Sequence, residues 1–176
     1  MTGNGLEIVV EMHRFIWQRF AAALADLSPP ETDWRPLPEA NNINAIVRHL
    51  RIEAEWHVAA LERGEAMPLT QSDERQRAID AVPFDFAANL RALESAYQRF
   101  VALLESSTAE QVRSRTSEAY REWTGECPPD LLGFHQAGHL ASHLGQIRML
   151  RNLYRKTRGE TARFFPDNPT FPKFSS

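Results

Sequence analysis

Cysteine is nearly absent from this 176-residue chain, which carries Cys127 as its single thiol. One cysteine cannot form an intramolecular disulfide, a Cys-x-x-Cys redox pair or a zinc module built on several thiolates. A chain with a single cysteine therefore suits a reducing compartment. Cys127 lies in Gly-Glu-Cys-Pro-Pro, where no neighbour stabilises a thiolate, and we interpret it as an incidental loop thiol.

Long apolar runs and an excess of positive charge are also missing. No hydrophobic stretch approaches the roughly 20 residues of a membrane span. The N-terminus, with Glu7 and Glu11 in its first hydrophobic stretch, does not resemble a signal peptide. The 20 basic and 23 acidic side chains argue against a general nucleic-acid binder. We expect one cytoplasmic domain spanning residues 1–176, with neither membrane nor nucleic acid as a partner.

Proline is absent from four long windows, and the interior of a helix tolerates proline poorly. Apolar residues recur there at alternating steps of three and four, as in amphipathic helices. The predicted helices cover about residues 6–27, 41–62, 85–106 and 130–156, the last with Asp130 as its N-cap. No segment shows a convincing period-two alternation typical of strands. The sequence thus predicts an all-α fold, a four-helix bundle over residues 5–157.

Two further segments lie outside the predicted helices. The long loop before the last helix, 107–129, opens with the capping-box pattern Thr108-Ala-Glu-Gln111, which indicates a short extra turn of helix. Loops of this length are often functional. The tail, 158–176, combines three prolines with four phenylalanines, and we expect it to pack on the bundle or on a partner chain.

Histidines supply the main chemical signal. His139 and His143 are four residues apart on the apolar side of the last helix, where two imidazoles can share a metal ion. The alternative is two core histidines with ordinary hydrogen bonds, although burial of a polar ring without a partner is costly. His49 lies on the apolar side of the second helix. It can complete a three-histidine site with open coordination positions, as in catalytic metal centres.

Other residues near these histidines have candidate roles. Glu53, one turn from His49, can accept an imidazole N–H or act as a base, or simply pair with an arginine. We expect His13 to be buried near the site, His135 to line the mouth of the pocket and His57 to be structural. Neither the second nor the last helix contains a Glu-x-x-His pair, and no His-Glu-x-x-His occurs, which excludes ferritin-like and zincin-type sites.

Positive charge is concentrated towards the C-terminus. Residues 144–176 contain seven basic and two acidic side chains, against an acidic remainder of the chain. Arg148 and Arg151 are candidate anchors for an anionic substrate. The alternative is that these cations stabilise the C-terminal end of the last helix through its dipole.

Two of these segments resemble a known family. His139-Leu-Ala-Ser-His143-Leu-Gly-Gln-Ile147 and Asn42-Ile-Asn-Ala-Ile-Val-Arg-His49-Leu, the latter after a proline-rich loop with Trp34, resemble the ligand segments of the DinB/YfiT-like metal-binding superfamily. The resemblance implies a four-helix bundle that binds a divalent metal through His49, His139 and His143. Members commonly have a second histidine just before the last ligand, where this chain has Ser142. Gln146 belongs to a Gly-Gln pair that also matches the family.

The resemblance also implies candidate activities. Some members activate a low-molecular-weight thiol on the metal and transfer it to an electrophilic small molecule, and others are described as metal-dependent hydrolases. The metal expected here is zinc or nickel, and iron or manganese also suit such a site. We expect a thiol transferase that forms a homodimer. A hydrolase and a non-catalytic scaffold that dimerises through its tail are the alternatives.

Overall fold

Helices make up all the regular structure in the part of the chain that the computed structural model describes, residues 6–64, 73–119 and 132–160. Four of them are long: α1 (Glu7–Leu24), α3 (Ile43–Arg63), α5 (Phe86–Ser106) and α7 (Leu132–Thr157). Three are shorter: α2 (Pro29–Asp33), α4 (Asp73–Asp80) and α6 (Ala109–Ala119). The four long helices match the four predicted ones to within three residues at each end, and the all-helical fold class is confirmed.

Polar side chains mark where the long helices begin. The Asn42 side chain accepts a hydrogen bond from the backbone N–H of Ala45 at 2.7 Å, and Asp85 accepts one from Ala88 at 2.9 Å. Both satisfy a backbone donor that the first helical turn leaves free. At the other end of α3, Gly64 takes a left-handed φ of 65°, a conformation that favours glycine. Its backbone N–H donates a hydrogen bond to the carbonyl of Ala60.

The two middle helices of the bundle run parallel to each other. Arg51 of α3 contacts Asn89 of α5 at 2.9 Å, and Glu62 pairs with Arg99 further along the same two helices. By contrast, α7 runs antiparallel to α3, because His49 meets His139 whereas the later His57 meets the earlier His135. The described part of the connection to α5, residues 73–85, contacts α3 at Glu53, Arg48 and Asn44, in reverse chain order.

The core lies between the long helices. Phe20, Val47, Leu104 and Ile147, one from each long helix, are fully buried. The apolar periodicity of each helix therefore faces the common interior, as the sequence predicted. None of the described helices is both long enough and apolar enough to cross a membrane.

The connecting segments contain more helix than the sequence indicated. The predicted capping box is confirmed: the Thr108 N–H donates to Gln111 Oε1 at 2.8 Å, and the Gln111 N–H donates to Thr108 Oγ1 at 3.2 Å. It opens an 11-residue helix, α6, where a single turn was expected. The helix α2 begins with two prolines, which the first turn tolerates because its N–H groups have no helical partner. Cys127, Asp130 and residues 161–176 of the tail, with all four of its phenylalanines, lie outside the described residues.

Candidate metal centre

The antiparallel packing of α3 and α7 brings three of the predicted site residues together. The Nε2 atom of His139 lies 3.1 Å from Nε2 of His49 and 2.9 Å from Nε2 of His143. The ligand atoms of all three lie within 4.8 Å of one another. Among the described residues, this is the one group of three or more histidine, cysteine, aspartate or glutamate side chains that could hold a metal ion.

The geometry of the three rings fits a shared metal ion. An ion bound to imidazole nitrogens at about 2.0–2.1 Å holds neighbouring ligand atoms about 3 Å apart. The three ring planes are inclined to one another by 65–85°. The rings therefore do not stack face to face, and the Nε2 atoms of His49 and His143 both lie close to that of His139. All three side chains are half-buried, so the site is open on one side.

Burial keeps these imidazoles neutral. Burial, with smaller contributions from charge repulsion by neighbouring histidines and Arg75, lowers the pKa of His49 to about 4 and that of His139 to about 3. The pKa of His143 is also lowered by burial, although its hydrogen bond to Gln146 opposes the shift. A neutral imidazole has a lone pair for a metal, whereas a protonated one has none. At neutral pH all three are therefore ready to act as ligands.

A comparison with known families agrees with this centre. The family model for mycothiol-S-transferase matches residues 8–156, a range that contains all three histidines. The chain belongs to the mycothiol-S-transferase family. This family is part of the DinB/YfiT-like superfamily of metal-binding helical proteins, so the resemblance seen in the histidine motifs is confirmed. Neither a curated protein nor a solved structure matches the chain.

The outer nitrogens of the three imidazoles have different surroundings in this mycothiol-S-transferase family member. Nδ1 of His143 lies 2.7 Å from Oε1 of Gln146. When that oxygen accepts the Nδ1 proton, Nε2 of His143 keeps its lone pair for a metal. Nδ1 of His139 is buried and has no hydrogen-bond partner among the described residues. Nδ1 of His49 faces Glu53, with 4.0 Å between it and Oε1.

Of the roles that the sequence left open for Glu53, the structure shows the pairing with an arginine. The Glu53 side chain is only 2 % exposed, it faces His49, and it forms an ion pair with Arg75 of α4. The guanidinium of Arg75 also lies over the Trp56 ring, 4.8 Å from its centroid. The sequence analysis missed Arg75, because α4 buries no residue and carries no apolar stripe that would mark it as part of the site.

The other three histidines of the chain lie inside the bundle, beyond the three candidate ligands. His135 lies beside His139, with 6.1 Å between ring centroids, and His57 lies 6.2 Å from His135. His57 is fully buried, and burial lowers its pKa well below the usual value. His13 is also fully buried, with Nδ1 3.1 Å from the hydroxyl of Tyr97. The expected burial of His13 agrees with these contacts, and the place of His135 at the mouth of a pocket stays a prediction.

The two arginines proposed as anion anchors lie further along α7. Arg151 contacts Glu31 at 2.8 Å, Asp26 at 2.7 Å and the carbonyl of Ala23 at 2.7 Å, which ties α7 to the end of α1 and to α2. Arg148 lies near Arg19 of α1, and burial together with that like charge lowers its pKa. No described contact joins either arginine to the three histidines, and their role as anchors stays a prediction.

Proposed function

We propose that this chain is a metal-dependent S-transferase that joins a low-molecular-weight thiol to an electrophilic small molecule. In this proposal His49, His139 and His143 hold one divalent ion. The observation that carries the proposal is the convergence of their three Nε2 atoms in a member of the mycothiol-S-transferase family. Mycothiol, the thiol in the family's name, is the first thiol to test.

The histidines and their neighbours suit an open catalytic metal rather than a closed structural one. Three protein ligands leave coordination positions for a substrate. Zinc and nickel are the first candidates, and iron and manganese also bind imidazole ligands. A bound divalent ion acts as a Lewis acid and lowers the pKa of a thiol that it contacts. Gln146 and Glu53 would then hold the outer nitrogens of His143 and His49 and so orient the two rings.

The proposed reaction needs a thiol from outside the chain. Cys127 is the only cysteine, so the attacking sulfur belongs to the co-substrate. Its S–H bond breaks, a sulfur–carbon bond forms at the electrophilic carbon, and the leaving group departs with the electrons of its own bond. The released proton leaves with that group or passes to solvent, so no oxidant or reductant is required. Because Glu53 is buried and paired with Arg75, we propose that it positions His49 rather than serving as the base.

Elemental analysis of untagged protein tests the first step of this proposal. We expect about one divalent ion per chain, lost in His143→Ala and retained in Ser142→Ala, which changes an exposed neighbour on the same helix. Protein that holds no stoichiometric metal and takes none up in the metal-free form would refute the ligand assignment.

Activity assays then test the transfer itself. Wild-type protein with mycothiol and an activated aryl chloride should form the thioether, and His143→Ala should not. Metal-loaded protein that is inactive with every thiol would favour the alternatives, a metal-dependent hydrolase or a scaffold. Size-exclusion chromatography with light scattering tests the predicted homodimer, and limited proteolysis tests the predicted single domain over residues 1–176.

A further inference from the structure

We propose that Arg75 is a positioning residue of the metal centre, which acts on His49 through the carboxylate of Glu53. The inference rests on the proposed function, since it assigns Arg75 a role toward a metal held by the three histidines. It also gives α4 a role at the metal centre. This helix carries Arg75 but none of the three histidines.

Arg75 is held in place by two contacts with one side of α3. Its guanidinium pairs with Oε1 of Glu53 and lies over the Trp56 ring, three residues further along the helix. Arg75 is 11 % exposed and Glu53 is 2 % exposed, so this ion pair is shielded from water and salt. A planar guanidinium that both stacks and pairs has few alternative orientations. The position of the Glu53 carboxylate is therefore restricted by Arg75.

The same carboxylate oxygen faces the metal centre. Oε1 of Glu53 lies 4.0 Å from Nδ1 of His49, while Nε2 of His49 points to the other two histidines. The distance is about 1 Å longer than a hydrogen bond, so the inference requires that the ring or the carboxylate turns to bring the two atoms into contact. Since an acceptor at the outer nitrogen fixes the tautomer and orientation of a ligating imidazole, Arg75 restricts His49 through this oxygen.

The helix α4 also contacts α3 away from the metal centre. At its other end, Asp80 pairs with Arg48 of α3 at 3.8 Å, and Asp80 is 64 % exposed. Loss of the Asp80 contact should loosen α4 without changing the surroundings of Glu53. Asp80→Asn is therefore a matched control for changes at Arg75.

The charge of Arg75 and its positioning role predict opposite effects on metal affinity. A cation beside the centre repels a metal ion, so its removal by charge alone would tighten binding. Removal of the group that holds Glu53 would weaken binding, because His49 loses a fixed acceptor. Weaker binding in Arg75→Met therefore indicates positioning rather than charge.

The test measures the zinc dissociation constant of the full-length chain by competition with a chromophoric chelator. We expect Arg75→Met and Glu53→Gln each to weaken zinc binding about 10–100-fold, the usual effect of losing an outer partner of a metal ligand. Asp80→Asn should stay within about twofold of wild type. The double variant Arg75→Met/Glu53→Gln should bind no more weakly than Glu53→Gln, because Arg75 acts through Glu53.

Circular dichroism must show that each variant is folded. If Arg75→Met does not fold, Arg75→Lys replaces it, and we expect it to bind zinc at least about threefold more weakly, since lysine cannot stack and pair in one geometry. Folded Arg75 variants that bind zinc as tightly as wild type, or more tightly, would overturn this inference alone. Wild-type protein that binds no zinc, nickel, iron or manganese would overturn the proposed function, and this inference with it.

Discussion

Metal binding by the three histidines should resist acid far better than binding by solvated histidines. The perturbation is a change from pH 7 to pH 5. Protons compete with a metal for each imidazole lone pair, and the competition begins near the pKa of that imidazole. In this centre burial lowers the pKa of His49 to about 4 and that of His139 to about 3. Both are still neutral at pH 5.

The size of the effect follows from these values. For an imidazole with the ordinary pKa of about 6.5, proton competition weakens metal binding about 25-fold between pH 7 and pH 5. Three such ligands together would lose about four orders of magnitude in affinity. His49 and His139 should lose almost nothing over this range, and the pKa of His143 is also lowered. We therefore expect the zinc affinity of the folded protein to fall by less than the roughly 25-fold that a single ordinary imidazole would cause.

Chelator competition, calibrated separately at each pH, measures this fall. A synthetic peptide of residues 136–146 is the control, because it carries His139 and His143 without the bundle and should lose affinity several hundredfold. Stability must be followed in parallel. In the metal-free protein the folded-state pKa values lie below the unfolded value of about 6.5, so unfolding takes up protons and stability declines as the pH falls from about 6.5 to 4. A hundredfold loss of affinity in protein that is still folded would refute the reasoning.

Two further predictions concern single side chains on α7. Gln146→Leu removes the acceptor that lies 2.7 Å from Nδ1 of His143. Zinc binding should therefore weaken about 10–100-fold in the chelator assay. An unchanged zinc affinity would contradict a role for this contact. Arg151→Ala leaves the buried carboxylate of Glu31 without its counter-charge, and urea unfolding should show a loss of about 3–5 kcal/mol. Arg158→Ala, which breaks an exposed pair, should cost less than about 1 kcal/mol, and equal losses in both variants would refute the argument.

The parts of the molecule that could be predicted from sequence are those that local periodicity determines. Apolar spacing within each long helix identifies which side is buried, and it was enough to assign His49, His139 and His143 to the interior. It could not show that His13 and His57 both lie beside Phe100, with ring centroids 5.2 and 6.2 Å from it, because that depends on packing between three helices. The role of Arg75 could not be predicted from the sequence for the same reason, because its partners belong to another helix.

The order of the helices explains why an arginine from a short connecting helix reaches the centre. A 21-residue helix is about 30 Å long, so the chain that leaves the end of α3 must travel back that far before the parallel α5 can begin beside its start. The contacts follow this return path: Arg75 meets Glu53, Asp80 meets Arg48, and the carbonyl of Phe84 accepts from Asn44 at 3.4 Å. A connection between antiparallel neighbours would be short and would never pass the middle of α3. The parallel pair therefore places α4 along α3, where Arg75 reaches Glu53 and, in our proposal, acts through it on His49.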